Sequence, residues 1–265
     1  MLKEILESEA KQYKDNSVGV LLSAGVDSQS VLFSLLSVGN KPVVYSFTLD
    51  NHESKDYLKA KEVARKFNLK FVPIILPTNL DILKMDLKRL KNYGATNKVD
   101  FECGFPMLYA YPTIKGEIVA SGMAADANFC LSKKGMLHYK DRLDDFRDMM
   151  FNDPKVVQIN THTALAKKYN KIIWFPYLGS NVRKHFRGTT WDEINKPKQK
   201  QPIRDTYPKW FKISQPTLHV NLQKGDSGID DLFHSLIYTD WNIGNFKSVK
   251  GISFISVTSI FSVQS

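Results

Sequence analysis

The chain has 265 residues, with 37 Lys and Arg against 27 Asp and Glu and a formal net charge of +10. Its 43% apolar content supports a large core, and no apolar stretch approaches the ~20 residues of a membrane span. Cys103 and Cys130 make neither a disulfide framework nor a metal site, and the charged, amphipathic start 1–7 is not a signal peptide, so a reducing cytoplasm is the expected location.

Residues 2–13 read as a short helix. The apolar run 18–22 reads as a buried strand, followed by a small-residue turn and a largely buried helix over 28–38, closed by Gly39 and Pro42. A second strand spans 43–48. Ala60, Val63, Ala64 and Phe67 recur at helical spacing and predict an amphipathic helix over 54–67. A third strand spans 71–76, where Pro73 points to an edge or a bulge. Leu80, Leu83, Leu87 and Leu90 form the stripe of the next helix; 105–111 reads as helical and 117–120 as a fourth strand. Strands alternating with helices predict right-handed crossovers and a twisted parallel sheet with flanking helices, an α/β fold that binds ligands at the carboxyl ends of its strands. Beyond residue 131 the chain reads as a helical half, with helices over 141–150, 155–169, 179–185 and 229–236. The Lys-, Pro- and Gln-rich stretch 188–228 reads as ordered loops over the site. In 251–265, serines recur every third residue, a period that fits neither helix nor strand.

The most informative segment is Ser23-Ala24-Gly25-Val26-Asp27-Ser28, set between the first strand and its helix. Such a turn leaves backbone N–H groups unpaired at a helix N-terminus, where they can hold an anion. Ser23 and Ser28 add hydroxyls. Asp27 repels a phosphate directly, and makes sense where a divalent cation lies between them. The segment lacks the Gly-Lys-Ser/Thr ending of a Walker loop.

This segment resembles the pyrophosphate-loop signature Ser-Gly-Gly-x-Asp-Ser of ATP pyrophosphatases, with Ala24 in place of the first glycine. Further along, 43–48 resembles that superfamily's second strand, whose end, at Ser46, lies against the adenine. Residues 105–110 and then Glu117-Ile-Val-Ala-Ser-Gly-Met-Ala-Ala-Asp126 resemble the asparagine synthetase synthase domain, in which a short strand runs into Ser-Gly-Glu-Gly-x-Asp-Glu. Residues 164–186 and the loop 222–228 resemble its later segments. The likeness runs in order from about residue 17 to about residue 236. It implies an adenine nucleotide alpha hydrolase-like fold over 1–245, with a nucleotide-binding part at about 15–130, a helical part at about 131–245, and 246–265 left as a tail.

The resemblance implies ATP and Mg²⁺ as cofactors and an enzyme that splits ATP between the α- and β-phosphates. A substrate carboxylate becomes an acyl-adenylate, and ammonia or an amine displaces AMP. Nucleotide binding falls to Ser23, Ala24, Gly25, Val26, Asp27, Ser28, Ser46, Ser121 and Gly122, metal binding to Asp27 and Asp126, and catalysis to Lys224 and Lys200. Family members carry an N-terminal glutaminase domain with a cysteine nucleophile. Here residue 2 is Leu and the loop begins near residue 23, so the expected nitrogen source is ammonia, an amine, or a separate ammonia-supplying partner.

Two acidic positions of the family pattern are replaced here. Met123 replaces the glutamate that deprotonates the incoming nitrogen, and Ala127 replaces the next acidic residue. Loss of a positioned base costs ~10²–10⁴-fold in rate. Ordinary asparagine synthesis is therefore not expected, and Glu102, Asp100 and His138 are the other candidate bases. Two further classes stay open. An RNA- or nucleobase-modifying enzyme of the same superfamily fits the basic stretch 183–212, with Arg183, Lys184, Arg187, Lys196, Lys198, Lys200, Arg204, Lys209 and Lys212. A non-catalytic ATP-binding or structural protein fits Met123 and Ala127.

Overall fold

The computed structural model of the chain describes residues 1–153, 158–217 and 226–240. Helix α1 (Leu2–Lys11) sets Leu2, Leu6 and Ala10 into the core at helical spacing. Strand β1 (Val18–Leu21) feeds helix α2 (Val26–Ser37), which begins two residues before the expected start and so takes Val26 and Asp27 into its first turn. Helix α2 is buried almost all round. Its buried serines hydrogen-bond to backbone carbonyls three residues earlier, Ser30 to Asp27 at 2.7 Å and Ser34 to Val31 at 2.8 Å, so a polar helix face can sit in the core.

Strand β2 (Val43–Leu49), helix α3 (Lys55–Lys66), strand β3 (Phe71–Leu76) and helix α4 (Leu80–Asn92) follow. Helix α5 (Lys98–Thr113) is longer than the expected 105–111. An Asn97–Asp100 capping box starts it a full turn or more before Pro106, which reads in sequence as a helix start. Strand β4 (Ile118–Ser121) leads to the short helix α6 (Asp126–Phe129), then α7 (Lys133–Tyr139), α8 (Leu143–Asn152) and α9 (Ile159–Lys168).

The next element was not expected from the sequence. Strand β5 (Ile172–Trp174) interrupts the mostly helical second half and pairs in parallel with β4, Ile118 against Ile172 and Ala120 against Trp174. Beyond it, a 3-10 turn (Pro176–Leu178) and helices α10 (Ser180–Phe186), α11 (Trp191–Asn195), α12 (Gln201–Arg204), α13 (Pro208–Ser214) and α14 (Ile229–Asp240) complete the described chain. The stretch expected as loops from 188 onward thus contains three short helices. The period-three tail 251–265 lies outside the described residues, as do 218–225.

The sheet order is β3-β2-β1-β4-β5, with every pair parallel. Pro73 is tolerated because β3 is an edge strand. Alternate residues of the central strands feed two cores. Val18, Val20, Ile118 and Ala120 join α1, α2 and α3 on one face. Leu21, Tyr45 and Val119 join α4, α5, α9 and α14 on the other. A parallel sheet covered on both faces reads as near-continuous apolar strands, which is how these segments read in sequence. The strand order reverses direction between β1 and β4, and the crevice outside their carboxyl ends is the expected ligand site of an open α/β sheet.

Candidate active site

Two loops meet at that crevice. The first is 22–25, between β1 and α2. Gly25 is the N-cap of α2 and offers no side chain, so the first-turn amides point outward without a cap. The loop is closed on itself by its serines. The Ser23 and Ser28 hydroxyls lie 2.9 Å apart, the Ser23 amide donates to Ser28 Oγ at 3.0 Å, and the Gly25 amide donates to Ser23 Oγ at 3.3 Å. Ala24 is fully buried and is not among the residues of positive φ, and Gly25 has φ −78°. The glycine-to-alanine exchange at 24 therefore carries no left-handed strain.

The second loop leaves β4 at Ser121, whose hydroxyl accepts from the Met123 amide at 3.2 Å. Gly122 lies directly against the first loop's helix. A Cβ there would stand 2.5 Å from both Asp27 C and Ser28 N, so only glycine lets the two loops touch. Ala124, at the second glycine of the family pattern, has φ 66° and adopts the left-handed conformation that an L side chain disfavours. Asp126 then opens α6.

The carboxylates of Asp27 and Asp126 converge on one cation. Lys200 Nζ bonds Asp27 Oδ2 and lies 2.6 Å from Asp126 Oδ1. The Lys200 side chain is 2% exposed, that of Asp27 18% and that of Asp126 51%. Burial works to lower the Lys200 pKa, but the two carboxylate charges and their hydrogen bonds outweigh it, so the pKa is raised and the ammonium stays charged. Asn195 fixes the approach. Its Oδ1 accepts the Lys200 amide at 3.2 Å and its Nδ2 donates to the Phe129 carbonyl at 3.1 Å, tying residues 195–200 to the end of α6.

Ser46 is not at the end of its strand, because β2 runs on to Leu49; it follows Tyr45, the partner of Leu21, and so lies level with the start of the first loop. Lys224 lies outside the described residues, but both flanks of its segment are anchored beside the site. The Thr217 amide donates to the Ala24 carbonyl at 3.0 Å. On the other flank, His52 Nε2 lies 2.5 Å from the Asp226 carbonyl oxygen, and Lys55 N donates to Asp226 Oδ2 at 2.7 Å.

Three contributors were not among the site residues expected from the sequence, although Arg204 was named in the basic stretch. Gln29, fully buried, donates to the Ala24 carbonyl at 2.9 Å and accepts from Ser214 at 2.6 Å, stitching α13 to the loop. Asn195 is the second. Arg204, one helical turn beyond Lys200, is the third: burial lowers its pKa while the nearby Asp27 charge opposes that shift. Gln29 lies between Ser28 and Ser30, and Asn195 between Ile194 and Lys196, so no local pattern in the sequence marks either.

Of the other candidate bases, Asp100 is committed to the α5 cap, where it accepts from Thr96 and from the Asn97 side chain at 2.8 Å. Glu102 is buried beside Lys98, at 3.1 Å, and Lys98 also pairs with Asp230 at 2.7 Å. Burial pushes Glu102 up to about 7 against the pull of Lys98, and Asp230 adds to the rise. His138 lies on α7, and its carbonyl accepts from Arg142 at 3.2 Å.

The sequence profile of one family, asparagine synthase, matches residues 3–224. The chain belongs to the asparagine synthase family. Membership places it among ATP-using pyrophosphate-loop synthetases. No curated protein matches it in sequence. Among solved structures, it is similar to an NMN synthetase from Francisella tularensis, with a TM-score of 0.36 and 12% identity over 88% of this chain and 95% of that one. In this asparagine synthase family member, no helix of the described residues is long and apolar enough to cross a membrane.

Ala124→Gly relieves a left-handed alanine, and even after the greater chain entropy of glycine should stabilise by about 0.5–1 kcal/mol, raising Tm by roughly 1–3 °C. An unchanged or lower Tm would mean that Ala124 is not strained. For Glu102, the folded state keeps a proton that the unfolded chain has already lost, so its burial lowers stability as pH rises from about 4.3 and levels off above about 7. Urea denaturation should show wild type losing on the order of 2–3 kcal/mol relative to Glu102→Gln between pH 4 and 8. Parallel pH profiles would contradict this.

Proposed function

We propose that the protein is an ATP-dependent, AMP- and pyrophosphate-forming ligase that adenylates a carboxylate and passes it to ammonia or an amine. The observation that carries this reading is the convergence of Asp27 and Asp126, from the helix starts that follow two neighbouring parallel strands, on a single cation at the crevice where the strand order reverses.

In this reading the first-turn amides of α2 and the hydroxyls of Ser23 and Ser28 hold the β- and γ-phosphates, and Ser46 and Ser121-Gly122 border the rest of the nucleotide. The substrate carboxylate attacks the α-phosphorus, and the bond to the bridging oxygen of pyrophosphate breaks. Lys200, together with Arg204 beside it, carries positive charge toward the departing pyrophosphate, where preorganised charge lowers the barrier most. Lys224 is proposed for the same service, and the anchoring of residues 217 and 226 at the site supports it. Asp27 and Asp126 fit magnesium of the kind that takes one or two protein carboxylates and completes its shell from phosphate and water. When bound, Mg²⁺ would neutralise charge on the pyrophosphate.

The acceptor side is different. Met123 cannot take a proton and Ala127 is buried and apolar, so aspartate with ammonia is a poor second half-reaction for this chain. The basic stretch 183–212 gives little support to a nucleic-acid surface. Lys200 is buried, Arg187 and Lys196 pair with Asp148 and Asp192 at 2.6 Å, and Arg183 lies over the Phe151 ring.

The test is ATP–pyrophosphate exchange with pooled carboxylates. We expect exchange with at least one carboxylate, no asparagine from aspartate and ammonia, and a loss of at least ~100-fold in Asp27→Asn and in Asp126→Asn. Asparagine made by wild type at an enzyme-like rate would overturn the acceptor-side reading. Absence of exchange with every carboxylate, in protein that still binds ATP, would favour a non-catalytic binding role.

A further inference from the structure

We infer that Lys200 is a built-in counter-cation that keeps divalent metal out of the site until nucleotide arrives, so that the metal enters only with its polyphosphate. The inference rests on the reading of Asp27 and Asp126 as metal carboxylates and concerns the order in which that site fills.

Three observations carry it. The ammonium stands between the two carboxylates, bonded to Asp27 Oδ2 and 2.6 Å from Asp126 Oδ1, in the position a shared divalent ion would take. It is placed there by a shaped backbone. Lys200 has φ 60° and ψ 38°, a conformation costly for a residue with a side chain, and it is held by Asn195, which is itself pinned to the helix that begins with Asp126. The third is the donor set. Among the described residues there is no group of three or more His, Cys, Asp or Glu able to hold a metal ion. Two carboxylates sharing an ammonium carry one net negative charge, and a second cation brought to them meets the first at close range in a partly enclosed site.

A nucleotide changes the balance on both sides. Its phosphate oxygens complete the metal's coordination, and they offer the Lys200 ammonium a new partner as the metal takes the carboxylates. Lys200 then passes from a carboxylate contact to a phosphate contact, which is where the proposed chemistry requires it. The same lysine would close the site in the absence of nucleotide and serve it in the presence of nucleotide.

The experiment measures Mn²⁺ binding without nucleotide, by electron paramagnetic resonance of the unbound ion. Wild type and Lys200→Arg should bind Mn²⁺ alone weakly. Lys200→Met, with its two carboxylates released, should bind it at least ~10-fold tighter, and Asp126→Asn added to Lys200→Met should abolish the gain. Wild type binding Mn²⁺ alone as tightly as Lys200→Met overturns the inference. Should Lys200→Met fail to fold, wild type still decides. Mn²⁺ alone must leave Tm unchanged while Mn²⁺ with α,β-methylene-ATP raises it, and a rise with Mn²⁺ alone overturns the inference. If α,β-methylene-ATP does not bind with or without metal, the ATP reading itself fails and this inference with it. That result is distinct from Mn²⁺ binding unaided while nucleotide binding is intact.

Discussion

One ion-paired triad organises the molecule. Lys200 lies 173 residues from Asp27, yet its ammonium is enclosed between Asp27 and Asp126. Two carboxylates held this close would repel each other, and an ammonium this enclosed would shed its charge; each is tolerable only with the others present. The elements around the triad follow from holding its members in register. Strands β1 and β4 pair side by side and lead into the two helix starts that carry the aspartates, and Gly122 lets the second loop touch the first helix. Asn195 and the left-handed turn at Lys200 bring the third member over the crevice.

The parts of this arrangement that were legible in the sequence are those encoded locally. The apolar runs of β1, β2 and β4 are largely buried on both faces, so their existence and their order along the chain could be read directly. The loop 23–28 was readable because its small residues, hydroxyls and carboxylate stand in the order of the pyrophosphate-loop signature, between a strand and a helix. Strand β5 was not readable: it has three residues, lies at the sheet edge and leaves Ile172 half exposed, so neither length nor alternation marks it. The short helices between 191 and 214 were also hidden. Their composition is that of a loop, and tertiary contacts of Asn195, Lys200 and Ser214 hold them in place. Lys200 was named from the sequence as a catalytic candidate beside Lys224 and as one lysine of a basic stretch, with nothing to show its partners. What sets it apart is burial and its two partners, which no local pattern announces.

The two sides of the proposed site keep the family's sequence pattern to different degrees. On the nucleotide side, Ala24 replaces a glycine at no conformational cost, and Ser23, Asp27, Ser28 and Asp126 are all in place. On the acceptor side, Met123, Ala124 and Ala127 replace two acids and a glycine, and Ala124 keeps the left-handed backbone that the glycine would have supplied more easily. The loop geometry thus persists where its side-chain chemistry has changed. This pattern fits a protein that retains ATP handling while the second half-reaction, or its nucleophile, has moved away from that of asparagine formation.

The measurement that tests this account most directly is a structure with α,β-methylene-ATP and Mg²⁺ bound. The account predicts the β- and γ-phosphates on the amides of residues 24–28, the magnesium ligated by Asp27 and Asp126, and the Lys200 ammonium moved onto a phosphate oxygen. A nucleotide bound elsewhere, or a triphosphate on the loop with Lys200 still between the two aspartates and no metal reaching them, would contradict it.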